Sequence, residues 1–141
     1  MPGNLCYPVE ATGEIVNVSL SPAAGAEVSY TLPTGFQYRL QTVTYFFTAS
    51  VAVATRSIKL QIVSGARILW QLNETQTIVA SGVTRHVFGR RAPLNQGTGS
   101  KFHALPDWLL VAGWIMQTVT LNIQAADQYS LVRLTFSRFK V

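Results

Sequence analysis

Carboxylates are scarce in this 141-residue chain: Glu10, Glu14, Glu27, Glu74, Asp107 and Asp127. General acid–base work on a polar bond needs two carboxyls held near one another. These six are spread singly, and strand ends and turns account for each. His86 and His103 have no second histidine or carboxylate at zinc-ligand spacing. Gly97-Thr-Gly-Ser-Lys101 superficially resembles a phosphate loop. It lacks the Gly-x-x-x-x-Gly-Lys spacing and no helical pattern follows it. No Gly-x-Ser-x-Gly elbow supplies a hydrolase nucleophile. The single cysteine, Cys6, excludes an intrachain disulfide and a cysteine-built metal site, and no basic neighbour in sequence favours its thiolate. The expectation is a protein without catalysis, cofactor or metal.

Binding chemistry is better represented. Trp70, Trp108, Trp114, Tyr7 and Tyr129 could stack on a sugar or anchor an interface. Trp70, beside Leu69 and Leu72, reads as core; Trp108 and Trp114 flank Leu-Leu-Val-Ala-Gly and read as interface residues. The formal net charge is +5 and the isoelectric point about 9.8. A nucleic-acid binder would bring Arg85, Arg90, Arg91 and Lys101 into one groove. The basic residues are otherwise scattered, and the excess reflects a shortage of acids, so nucleic acid is not the expected partner. Two segments suit contact with a partner: an extended arm over residues 1–12 and a long irregular stretch from Arg90 to Pro106. The candidate partner-binding residues are Leu5, Tyr7, Arg90, Arg91, Lys101, Phe102, Trp108 and Trp114.

The elements that must position these groups are strands. Apolar residues make up 48% and charged residues 12%, the latter about half the usual share. Apolar positions recur with period two: Val16, Val18 and Leu20; Ile58, Leu60 and Ile62; Val132, Leu134 and Phe136. In the stretch 115–123, Ile115, Val119, Leu121 and Ile123 share one parity and Thr118, Thr120 and Asn122 the other. Pro22-Ala-Ala-Gly25, Leu32-Pro-Thr-Gly35, Ser64-Gly65 and Ser81-Gly82 are turn signals. The spacing predicts strands near 13–20, 26–32, 37–48, 56–63, 67–72, 76–80, 84–89, 107–111, 115–123 and 128–139, with room for a helical turn near 103–109. Eight to ten short strands in one domain over 13–141 predict an antiparallel sandwich or barrel. Neither a signal-peptide pattern nor a membrane-length apolar run is legible, so a cytosolic origin is expected.

The C-terminal third carries a resemblance. Ala104-Leu-Pro-Asp-Trp-Leu-Leu-Val-Ala-Gly113 leads through a Thr-rich strand to Asp127-Gln-Tyr-Ser130. With Tyr38-Arg-Leu-Gln-Thr-Val43 and Arg67-Ile-Leu-Trp70, this resembles small virion proteins of tailed bacteriophages over about residues 36–139. Val111-Ala112 stands where that pattern has a second proline before the glycine turn. The resemblance implies a jelly-roll sandwich that decorates the outer face of the phage head, as a homotrimer bound to the major capsid protein. A tail or head–tail connector component, or a carbohydrate-binding module, would share the composition.

Overall fold

The computed structural model describes residues 13–73, 77–90 and 100–141. The expected arm, with Leu5 and Tyr7, lies outside these residues, as does Arg91. The described chain is all β. Its strands are β1 (Glu14–Leu20), β2 (Ser29–Thr31), β3 (Phe36–Thr48), β4 (Ser57–Ser64), β5 (Arg67–Asn73), β6 (Val83–Gly89), β7 (Ser100–Ala104), β8 (Leu110–Val111), β9 (Ile115–Leu121) and β10 (Gln128–Lys140).

Two sheets pack face to face. The first runs β1-β10-β3-β6-β7, with β8 also paired to β3; the second runs β2-β9-β4-β5. Alternation explains which side chains meet between them. β4 turns Ile58, Leu60 and Ile62 inward, and β10 turns Val132, Leu134 and Phe136 inward. On β3 the inward set changes from Tyr38 and Leu40 to Val43, Tyr45 and Phe47, because one extra residue at Gln41 shifts the register against β10. A second bulge sits on β10 between Ser130 and Arg133. There Leu131 takes a left-handed backbone, φ 49°. Gly65, at φ 58°, closes the β4–β5 hairpin as the sequence predicts, since its two-residue turn needs a positive φ.

Four expectations change. Residues 77–80 form no strand; only Ile78 bridges, to Arg56, while 74–76 are outside the described residues. Within the segment read as irregular, β7 pairs in parallel with β6. No helical turn occurs at 103–109; the chain leaves β7 at Ala104 and runs on without regular structure. The fourth concerns β9, whose apolar parity would be taken for its buried one. Met116, Thr118 and Thr120 point inward instead, and Val119 and Leu121 are exposed.

The hydroxyls face inward because they have a carboxylate to satisfy. Thr118 Oγ1 and Thr120 Oγ1 donate to Glu27 Oε2, at 2.7 and 2.9 Å, and Thr120 N donates to Glu27 Oε1 at 2.6 Å. Tyr129, buried against Tyr45 and Phe47, has its hydroxyl 2.6 Å from Thr120 Oγ1. A half-buried carboxylate without donors would cost several kcal/mol, so hydrogen bonding outranks the apolar preference here.

One end of the sandwich is held by an ion pair with both side chains fully buried. Arg56 grips Asp127 through Nε–Oδ2 and Nη2–Oδ1, both 3.0 Å, and donates from Nη1 to Ala54 O and from Nη2 to Ser50 Oγ. Asp127 also accepts from Ser50 N and Gln124 N, at 2.7 and 2.8 Å. Burial pushes its carboxyl upward, but Arg56 and these donors outweigh that and hold it at about 2 instead of 3.8. The pair ties the β3–β4 and β9–β10 connections together. Asp127, Gln128 and Tyr129 of the closing motif are therefore structural: Gln128 Nε2 donates to Pro22 O and Tyr129 fills the core.

Candidate interaction surface

The two outer faces of the sandwich differ in what their side chains have left to offer. Across the second sheet, Gln117 donates to Gln61, Gln61 to Gln71 and Gln71 to Asn73, so this polar row is largely satisfied by itself. The first sheet is less self-contained. Its register lines up Asn17, Thr135, Thr42 and Gly89 in one row, and Ser19, Arg133, Thr44, Val87 and Phe102 in the next. Within these two rows Thr135 donates to Asn17 at 2.9 Å, and no other side-chain pair bonds among the described residues. Adjoining depressions run over this face. One of about 460 Å3 is lined by Asn17, Ser19, Thr42, Thr44, Arg133 and Thr135. A second, of about 400 Å3, is lined by Gln41, Thr42, Gly89 and Arg90. A third, of about 160 Å3, lies among Thr44, Phe46, Arg85, Leu131 and Arg133.

Four arginines border the face, in two different states. Arg39 Nε and Arg90 Nη2 share Asp107 Oδ1, at 3.3 and 2.8 Å. Arg85 and Arg133 are exposed and have no carboxylate partner among the described residues. Each described carboxylate is engaged elsewhere: Glu14 with Arg138, Glu27 with the β9 threonines, Asp107 with Arg39 and Arg90, and Asp127 with Arg56. Arg85 lies over its cross-strand neighbour Phe46, 5.8 Å from the ring centre, which orients the guanidinium without using its N–H groups.

Of the residues expected to bind a partner, Leu5, Tyr7 and Arg91 lie outside the described residues, and the others sit in different settings. Arg90 is occupied by Asp107 and by Gln41, the latter at 3.4 Å. Phe102 is half-buried at the β7 edge opposite Val87. Lys101 is opposite His86 in β7. Trp108 is exposed, next to Asp107, whereas Trp114 packs against the core. The basic groove required of a nucleic-acid binder is not assembled from Arg85 and Arg90, which lie five residues apart along β6 and its exit, about 16 Å. The face itself holds residues that sequence reasoning passed over as ordinary solvent-side polar positions: Asn17, Thr42, Thr44, Arg133 and Thr135. The signal was their shared parity, but only the strand order β1-β10-β3-β6 puts them side by side.

His86 and His103 meet across the β6–β7 pair as parallel rings, 6.5 Å between centroids and 10° apart in plane. His103 also stacks on Phe88 at 4.8 Å, and His86 on Tyr45 at 4.9 Å. Stacked rings present faces to each other and not converging lone pairs, which a metal would need. No group of three or more metal-ligating side chains occurs among the described residues, and no described helix is long and apolar enough to cross a membrane. Compared with protein-family models, with curated proteins and with solved structures, the chain finds no match in any of the three.

Proposed function

We propose that this chain is a structural virion protein: a jelly-roll decoration protein that binds the major capsid protein on the outer face of a bacteriophage head and stabilises the shell. The observation that carries the reading is the strand order. β1-β10-β3-β6 in one sheet faces β2-β9-β4-β5 in the other, and the chain crosses between sheets at most connections. Two Greek keys wound into eight such strands make a jelly roll, an architecture used repeatedly by viral capsid domains. The C-terminal likeness to small virion proteins of tailed phages points the same way. A hydrogen-bonding outer face and a net charge of +5 suit an acidic shell. Homotrimeric assembly would let three weak contacts act as one through effective concentration. The role is one of binding, without catalysis.

A carbohydrate-binding module is less well supported. It calls for two exposed, coplanar aromatic rings; Trp108 is 43% exposed, Trp114 is packed on the core and Tyr129 is 1% exposed. Co-sedimentation of the purified protein with empty heads and, separately, with tails tests the proposal. Saturable binding to heads is expected. Retention on tails or glycans with none on heads would replace it with one of the rivals.

A further inference from the structure

The depression between Arg85 and Arg133 has no counter-charge among the described residues. On the same sheet face, at the far end of β6, the chain closes an arginine pair by placing Asp107 between Arg39 and Arg90. At the near end Arg85 and Arg133 line one depression of about 160 Å3 together with Thr44, and neither arginine pairs with a described carboxylate. Its wall is Leu131, the residue inserted by the β10 bulge, left-handed at φ 49° and 62% exposed. A bulge alone would be better served by glycine or asparagine, which tolerate that backbone. A leucine there sets an apolar surface beside two guanidinium groups at a backbone cost.

We propose that this depression is a recognition site for a carboxylate flanked by an apolar side chain, presented by an acidic segment of a partner protein. The carboxylate sits between Arg85 and Arg133, accepting charge-assisted hydrogen bonds, and its apolar neighbour lies on Leu131 and the Phe46 edge. Under the decoration reading, on which the partner's identity rests, the first sheet's outer face is the one turned to the shell. Two arginines without a carboxylate partner among the described residues, flanking an apolar wall, favour a protein carboxylate over a nucleic-acid backbone, which is followed by a longer basic track.

The test uses the full chain, the peptide acetyl-Asp-Leu-Asp-Leu-amide and its Asn-Leu-Asn-Leu counterpart, read by amide-resolved NMR titration. Saturable shifts confined to Thr44, Phe46, Arg85, Leu131 and Arg133, weakened about tenfold by R85Q or R133Q, are expected. L131G is expected to raise the melting temperature while weakening the peptide, opposite signs that a merely structural leucine would not give. Four outcomes would overturn the site: no saturation, equal binding of the Asn peptide, shifts at Arg39 and Arg90 instead, or tighter binding of a ten-residue oligothymidylate. Binding to empty heads separates the two ideas. If the R85Q/R133Q double variant decorates heads as well as the unaltered chain, the site falls and the decoration role stands. If the unaltered chain ignores heads yet binds the Asp peptide, the role falls and the site stands.

Discussion

Asp127 and Arg56 form the one ion pair among the described residues whose two side chains are both fully buried, and most of their value lies in being together. Replacing Asp127 by Asn leaves a buried guanidinium without its counter-charge, a loss of about 3–5 kcal/mol. Chemical denaturation of Asp127→Asn should show a midpoint shift of that order. The pH dependence has a definite sign. The folded carboxyl is held at about 2, below its ordinary 3.8, so its contribution, about 2 kcal/mol, is complete above pH ~4 and is lost as pH falls toward 2. Stability measured from pH 5 to pH 2 should fall more steeply in the unaltered chain than in Asp127→Asn. Sequence reading placed Asp127 at a strand end and in a recurring motif. It could not supply Arg56, 71 positions away, because only the meeting of two loops brings them within 3.0 Å.

The lesson of the elements is how far period two reaches. β4 and β10 bury the residues their alternation names and β1 half-buries its own, since each has one clearly apolar side and a neighbouring sheet to cover it. β9 reverses the rule because Glu27 and the Tyr129 hydroxyl sit against its inner side, a demand made by residues outside the strand. Thr118→Val should therefore cost about 1–3 kcal/mol by stripping Glu27 and the Val28 amide of a partner. Leu121→Thr should cost less than about 0.5 kcal/mol, since Leu121 is exposed. Thermal melts of the two variants check the orientation; the opposite order would restore the sequence-based face. β7 was illegible for a different reason. Ser-Lys-Phe-His-Ala has no alternating apolar pattern, and its strand character comes from pairing with β6.

For the whole molecule, sequence yields the class of fold and leaves the interaction surface hidden. The exposed face is assembled from four strands that are far apart along the chain, so Arg85 and Arg133 become neighbours only once β3 lies between β6 and β10. Two of the candidate partner-binding residues, Arg90 and Trp114, are tied to Asp107 and packed on the core. Light scattering of the purified protein should report a particle of three chains of 15.5 kDa each. A monomer at all concentrations would remove the trimer and the effective-concentration argument with it. Attachment should also weaken as salt rises through the range where charges are screened beyond about 10 Å. The most direct test of the decoration role is an electron cryo-microscopy map of empty phage heads incubated with excess protein. The prediction is added density at icosahedral sites, saturating with concentration, with the β1-β10-β3-β6 face against the shell. Heads left bare at saturating protein would contradict it.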